Sequence, residues 1–519
     1  MLLLALSCTS SSPSLGGQDD SSSDYPVDSV DDHVDDSVVD SDELPVEWTD
    51  SYDVVVVGSG PAGIAAALTA RASGATVLVL DRDDIPGVGI VMAGLGFAVG
   101  THWQAERGID DSVAIAAAEW PEITGASAES GGVMDFLEHS AENLEWLESY
   151  GMFVDMVAVD RDAGSVARTH STAWTYEGVH PLIAAYDGDL RNEVEVTAPV
   201  MQDGAVIGVR WTDLATGDEG ATQAGAVVIA TGGFMRDLDE IERVKPGTLA
   251  RHPVFETGLQ SSGGGLPFLR AVGAGSVGHG NLGVYVHSIQ DPWFASGESL
   301  LAIGIEGGIL VDANGERFID EGYQKSFDLF NSLPEGEVYE VFTDPLAGMV
   351  QFSRPGYNWS SPTEREVFHF EQVAAVSEDI FIGSSVEELS AFAGINPVGL
   401  AQTAEDWNAV LSVRGTDPFG RDLTGAQRLS GTTWYAIRLS PGLAKNFGGV
   451  ATDVEAEVLD TADMPVAGLY AAGEVVGMVL GGGGGDGFSG SMNACYYGGR
   501  VAGANAASYA EMRAEHAKR

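Results

Sequence analysis

Residues 52–82 read YDVVVVGSGPAGIAAALTARASGATVLVLDR, a stretch that leaves the chain little freedom of fold. A strand with one face in water alternates apolar and polar residues, and four successive valines do not alternate. They predict a strand buried on both faces. The turn Gly58-Ser59-Gly60-Pro61-Ala62-Gly63 follows at once, then an alanine-rich helix, a glycine break and a second apolar strand closed by Asp81. This is a βαβ unit with parallel strands. Gly58 permits the tight turn, Gly60 lets a diphosphate approach the backbone, and Gly63 lets helix and strand pack closely. The helix start offers unpaired N–H groups and a partial positive charge to that diphosphate. Asp81 stands where a carboxylate can accept from both ribose hydroxyls, with Arg82 next to it. The pattern predicts a dinucleotide site, with FAD and NAD both open at this point.

Two further buried strands run into glycine turns: AVVIATGG at Ala226–Gly233 and AGLYAAGE at Ala467–Glu474. Between them, from about Tyr285 to Arg438, the texture changes to more aromatics, more proline and mixed short elements. The spacing there predicts helices over Val386–Ala393 and Pro397–Val413, and a long helix closes the chain from Met492 to Lys518. No internal repeat is visible. The expected organisation is a possible lipoprotein signal at 1–8 and an acidic disordered linker at 9–50. A dinucleotide-binding domain follows in two parts, 51–285 and 439–519, with an inserted domain at 286–438.

Charge excludes some functions. The chain carries 25 basic against 77 acidic side chains, net −52, and its first 50 residues hold 13 of the acids and no Lys or Arg. Such a field repels nucleic acid and anionic lipid. It suits solubility in high salt or an acidic secreted surface. Two cysteines exclude a disulfide scaffold and a multi-cysteine metal site. Cys495 reads as packing inside a helix. Cys8 ends the short apolar run MLLLALSC, which resembles the lipobox of bacterial lipoprotein signals but lacks a basic leader. The expectation is export and a lipid anchor on Cys8 at the cell envelope, as the one contact with a membrane. If that run is spurious, the reading is cytoplasmic. No C-x-x-C-H motif is present, so a cytochrome partner would be a separate chain.

ATGGF (230–234), GLYAAGEV (468–475), the long run 448–474 and GERFIDE (315–321) resemble the succinate dehydrogenase/fumarate reductase flavoprotein family. The soluble branch includes fumarate reductases and 3-ketosteroid dehydrogenases. The resemblance covers about residues 50 to 510. It implies an α/β fold: a two-dinucleotide-binding-type, Rossmann-like FAD domain with an inserted α+β capping domain. It further implies that Glu474 binds ribityl or ribose hydroxyls, that Val200 meets the adenine through its backbone, and that Ala230, Thr231 and Gly232 line the pyrophosphate and flavin side. Ala93 and Gly94 fall in a flavin-contacting segment, where Gly89 and Ile90 replace the usual Asn-Ser pair. That segment has no histidine, so FAD is expected to be non-covalent. Ser491 and Met492 begin the last helix, whose positive end would face flavin N1/O2 and favour the reduced anion.

The catalytic half departs from the pattern. His287 falls at the substrate histidine, but the proton-relay pair falls at Leu301 and Gly304 and is missing. Lys325 stands where the proton-donor arginine is usual, Lys445 takes the place of the histidine of the family's His-Thr-Met-Gly-Gly turn, and no arginine near GFSGS clamps a dicarboxylate. The chain has four lysines, Lys245, Lys325, Lys445 and Lys518, and two of them fall at these positions. Unlike arginine, a buried lysine can exchange a proton near neutral pH. The plain alternative for Lys325 is a surface lysine or an ion-pair partner of Asp320 or Glu321. Tyr323 is the runner-up proton donor, and Arg317 reads as one half of a structural ion pair. The implied activity is an FAD-dependent oxidoreductase acting on a carbon–carbon bond beside a carbonyl or carboxylate. Its substrate is a small unsaturated acid, a ketone or a steroid-like molecule rather than fumarate, and its electron carrier an external one such as a cytochrome. A 3-ketosteroid dehydrogenase-like activity or a non-catalytic electron-transfer subunit remain the alternatives.

Overall fold

The computed structural model describes residues 46–87, 94–156, 166–171, 179–293, 299–303, 307–321, 334, 336–344, 346–353, 367–413, 417–482 and 490–519. Cys8, Ala93, Tyr323 and Lys325 lie outside the described residues, as does the acidic segment up to residue 45.

The valine run forms β1 (Asp50–Val57), and Val54 to Val57 are buried on both faces. β1 pairs in parallel with β2 (Val77–Leu80) on one side and with Glu219–Ile229 on the other. Asp189–Arg191 extends the parallel sheet beyond β2, and Pro465–Ala471 extends it beyond Glu219–Ile229. Glu457–Leu459 and the hairpin Val194–Gln202/Ala205–Asp213 add antiparallel strands, making eight in all. α1 (Pro61–Ala72) is the crossover between β1 and β2, started by a proline in its first turn, where no N–H is needed.

The closing helix runs from Met492 to Lys518, as expected from its sequence, and lies directly on α1. A Cβ added at Gly499 would sit 2.1 Å from the Ala62 carbonyl, and one at Gly503 2.2 Å from the Ala66 carbonyl. Those glycines cost the helix about 1 kcal/mol each relative to alanine. The close contact they permit fixes the head of the last helix beside the glycine turn of α1.

A second sheet of nine strands is organised on Trp434–Asn446, which is 13 residues long. Val338–Thr343 pairs with it on one side and Leu282–Gln290 on the other, both antiparallel. The two strands Leu282–Gln290 and Trp434–Asn446 straddle the expected limits of the inserted domain at 285/286 and 438/439. One face of this sheet buries Ile289, Leu310, Phe342, Phe352 and Ile437. The other is covered by the helices Val386–Ala393 and Pro397–Val413, which close over Trp407 and Tyr339. Among the described residues no helix is long and apolar enough to cross a membrane, and no group of His, Cys, Asp or Glu is arranged to hold a metal ion.

Candidate active site

Three glycine turns meet at the carboxyl ends of three adjacent parallel strands, where open α/β sheets place their ligands. The first follows β1, the second follows Glu219–Ile229, and the third follows Pro465–Ala471. Backbone hydrogen bonds stitch them to their neighbours: Gly58 N–H to the Leu80 carbonyl, Ala230 N–H to Val57, and Ala472 N–H to Ile229. Gly58 has φ of +98°, and a Cβ there would meet the Ala230 carbonyl at 2.4 Å. A Cβ at Gly63 would be 1.9 Å from the Gly58 carbonyl. A Cβ at Gly233 would strike Asn446 Oδ1 and Glu474 Oε1 at 2.2 and 2.4 Å. The three turns are thus in contact, and side chains there would force them apart.

Gly60 is the exception. A Cβ at Gly60 meets nothing within 4 Å, so the glycine faces open space at the start of α1. Beside the second turn, Thr231 Oγ1 is buried with no hydrogen-bond partner. An open backbone face at a helix N-terminus and an orphaned hydroxyl next to it fit the diphosphate of FAD. Asp81 is buried and braces the loop: one carboxylate oxygen accepts from Ser59 N–H at 2.7 Å and from Ser59 Oγ, and the other from Asp83 N–H at 2.9 Å. Ser59 Oγ in turn accepts from Gly87 N–H at 2.9 Å. Arg82 donates to Ser262 Oγ at 3.1 Å, and Ala62 is buried in α1 against Gly473. Val200 is buried in the strand Val194–Gln202. The chain next to Asp81 is Glu193–Val194, whose N–H groups bond to Asp83 and Asp81 carbonyls.

The head of the last helix forms the opposite wall. Ser491 is its N-cap residue, and the Gly96 backbone bridges to Ser491 while Phe97 N–H donates to the Gly490 carbonyl at 2.6 Å. The half-buried Gly94 leads into this segment, and Met492 is buried one residue into the helix. Lys445 extends its ammonium to Ser491 Oγ at 3.4 Å and lies 4.9 Å over the Phe447 ring. Burial pushes the Glu474 carboxyl up to about 7, against the opposing pull of the Asn446 N–H bond and the Lys445 charge. Burial likewise pushes the Cys495 thiol up to about 12, so this cysteine is packing rather than a nucleophile. Asn446 was not singled out in the sequence, yet it holds two of the turns. Its Oδ1 accepts from Phe234 N–H at 3.2 Å, and its Nδ2 donates to the carbonyls of Gly448 and Glu474, both at 2.8 Å.

On the second sheet, His287 Nδ1 lies 2.8 Å from Glu340 Oε2. The next residue points elsewhere: Ser288 Oγ donates to Glu256 at 2.7 Å. Arg317 makes a structural ion-pair cluster, as its sequence position suggested. Its guanidinium grips both oxygens of Glu321 at 2.7 and 2.6 Å and reaches Asp417 at 2.7 Å, stacked 4.6 Å from the Trp407 ring. Arg421 and the Leu310 N–H also bond to Glu321. The carboxylate is therefore filled from beneath the turn that leads to Tyr323 and Lys325. A cavity of about 650 Å³ opens beside the middle of Trp434–Asn446, lined by Arg251, His252, Asp291, Glu337, Asp379 and Arg438 among others. None of the three glycine turns borders it.

Residues 53–489 match the family model described as FAD binding domain. The chain is 28% identical to the NADH:fumarate oxidoreductase of Klebsiella pneumoniae over 83% of its own length, but spans only 45% of that protein. It is 26% identical to the vinyl phenol reductase of Lactiplantibacillus plantarum, covering 89% of this chain and 98% of the relative. Its backbone superimposes on the open conformation of a flavocytochrome c3 fumarate reductase with a TM-score of 0.65 at 25% identity, over 89% of this chain and 79% of the other. The protein is an FAD-binding flavoprotein with the fold those enzymes share. Within that class it belongs to the succinate dehydrogenase/fumarate reductase flavoprotein family and is an FAD-dependent oxidoreductase acting on carbon–carbon bonds.

Proposed function

We propose that this flavoprotein adds or removes hydrogen across a carbon–carbon bond beside a carbonyl or a single carboxylate, and that fumarate is not its substrate. The observation that carries the reading is the cation at the head of the last helix. It is Lys445, bonded to Ser491, a single-point ammonium where the two-oxygen fork of a guanidinium would be needed to clamp a second carboxylate. The relay positions hold Leu301 and Gly304, and the stretch 485–495 has no arginine. With Lys325 assigned to the proton and His287 to orientation, a monoacid or enone is anchored at Lys445, whereas the second carboxylate of a diacid has no bidentate arginine to meet it.

FAD, held at the three glycine turns, supplies hydride chemistry at flavin N5. The chain's own residues do the rest. Gly60 and the start of α1 receive the diphosphate, and Glu474 accepts from sugar or ribityl hydroxyls. Lys445 and the helix head present positive charge to the substrate's oxygen and to the flavin's pyrimidine edge. Lys325, or Tyr323 in its place, exchanges the proton with the carbon that does not exchange hydride. His287 orients the substrate. The second domain excludes water while this happens.

Electrons reach the protein from an external carrier, with a cytochrome as the proposed class; flavocytochrome relatives support it. The sequence LALSC at residues 4–8 supports export and lipid anchoring through Cys8. Radiolabelled palmitate incorporation that is lost in Cys8→Ser tests it; an unlabelled wild type argues against the anchor, and equal labelling of both forms places the lipid on another residue.

The decisive experiment is anaerobic reoxidation of the photoreduced holoprotein with fumarate, substituted acrylates, enones and 3-ketosteroids. The expected outcome is rapid reoxidation by a monoacid or enone and slow reoxidation by fumarate; fumarate as the fastest oxidant overturns the reading. Reoxidation by cytochromes alone identifies an electron-transfer subunit instead.

A further inference from the structure

The strand Val338–Thr343 is buried along its whole length, and five of its six residues are Val, Tyr, Val, Phe and Thr. The sixth is Glu340, 1% exposed. A carboxylate in such a strand is strongly destabilising unless a partner meets it. His287 supplies that partner, with Nδ1 at 2.8 Å from Oε2. The two residues sit on strands that flank Trp434–Asn446 on opposite sides, so their side chains reach across the middle strand.

Two local features make the reach possible. The pairing of Leu282–Gln290 with Trp434–Asn446 slips between Tyr285 and Ser288, a bulge of the kind that re-aims side chains near active sites. The bulge sends His287 toward Glu340 and Ser288 toward Glu256. On the other side, Gly308 leaves space for the carboxylate. A Cβ there would lie 2.8 Å from Glu340 Oε1 and 3.2 Å from its Cγ.

The geometry points to Glu340 as a positioning residue that holds the imidazole of His287 in one orientation and one tautomer. An ionised carboxylate at Nδ1 requires a proton on that nitrogen, which leaves Nε2 as the ring atom that gains or loses a proton. The pair therefore decides which nitrogen His287 offers to substrate. The other charged groups on the surrounding elements are held separately. Glu256 is engaged by Ser288, Asp291 accepts from Trp293 N–H at 2.9 Å, Arg438 is paired with Asp379 at 2.8 Å, and Lys445 stands at Ser491. This inference rests on the reading of His287 as a substrate-facing residue.

The test uses FAD-loaded protein with ¹⁵N-labelled histidine and no substrate, so that it reports on the pair whether or not a substrate has been found. The His287 ring signals are assigned by their loss in His287→Gln. In the wild type they are expected to show a protonated Nδ1, and in Glu340→Gln the ring pKa should fall by about one to three pH units. Glu340→Asp, one methylene shorter, should fall between the two and serves if Glu340→Gln folds poorly. With a turned-over substrate, the limb of the kcat/KM profile that belongs to His287 should move by the same interval. Glu340→Gln should then have no further effect in a His287→Gln background. An unchanged ring titration in both variants overturns the inference. So does an equal loss of kcat/KM from Glu340→Gln with and without His287. A shifted ring titration beside an absence of any turnover leaves the pair standing and refutes the proposed activity instead.

Discussion

Lys445 Nζ stands 3.4 Å from the hydroxyl of Ser491, the residue at the N-cap position of the 27-residue closing helix. Two positive features therefore coincide at one point: an ammonium, and the unpaired N–H groups of a helix start. The same ammonium pulls the Glu474 carboxyl and the Cys495 thiol downward against burial. Lys445 acts on its surroundings as a charge and not only as a donor.

Replacing Lys445 with Met should therefore lower the midpoint potential of the bound FAD, on the order of 30 mV for each ~1.4 kcal/mol of lost stabilisation of the reduced form. Lys445→Arg should keep most of the potential. Dye-equilibrated photoreduction of the holoproteins measures both. A Met variant with the wild-type potential would show that the helix head alone sets the field.

The glycines of the first turn separate fold from ligand. Gly60 has φ of −63°, ordinary for any residue, and empty space where a Cβ would go. Gly60→Ala should leave the apoprotein's melting temperature unchanged or slightly raised, yet weaken FAD binding tenfold or more because the methyl group occupies the approach to the diphosphate. Gly63→Ala, whose Cβ would overlap the Gly58 carbonyl at 1.9 Å, should unfold the apoprotein itself. Calorimetry of the two apoproteins, followed by FAD titration of Gly60→Ala, distinguishes the cases.

Glu474 gives a pH dependence with a definite sign. Burial raises its carboxyl to about 7, so the folded apoprotein favours the protonated form. The stability linked to this group is fully present below the ordinary carboxylate range and is lost as pH rises through about 7. Hydroxyl donors from FAD favour the ionised form, so binding should release a proton and tighten as pH rises from about 6 to about 8. Titration calorimetry in buffers of different ionisation enthalpy should detect that proton, and Glu474→Gln should abolish it. Proton uptake in place of release would remove Glu474 from the hydroxyl-binding role.

Much of this architecture is carried by local pattern. The valine run, the Gly58–Gly63 turn and the helices Val386–Ala393, Pro397–Val413 and Met492–Lys518 are legible because each is specified by residues within a few positions of one another. The site's polar pairs are not. His287 meets Glu340 from 53 positions away, Ser288 meets Glu256 from 32, and Asn446 reaches Phe234 across 212. Such partners depend on strand order and on a bulge that shifts register, neither of which leaves a mark in the sequence. Which residue lies beside Asp81 is likewise fixed by register, and that residue is Val194.

Arg317 should prove the anchor of the turn that ends at Glu321. Its partners Glu321 and Asp417 have side chains 2% and 0% exposed, and Arg317 itself is 8% exposed. Burial alone would push the Asp417 carboxyl up, but the Arg317 bonds win and hold it below its usual range. Arg317→Met leaves two buried carboxylates short of a partner, a loss of about 3–5 kcal/mol for a broken buried pair. Arg421 still reaches Glu321 at 3.1 Å, which favours the lower end. Lysine cannot reproduce the two-oxygen grip, so Arg317→Lys should recover little. Urea unfolding followed by the fluorescence of Trp407, which stacks on the guanidinium, measures the loss. The triple variant Arg317→Met, Glu321→Gln, Asp417→Asn should regain part of it, because the uncompensated charges are gone. A single Arg317→Met as stable as the wild type would mean that the cluster contributes little to folding.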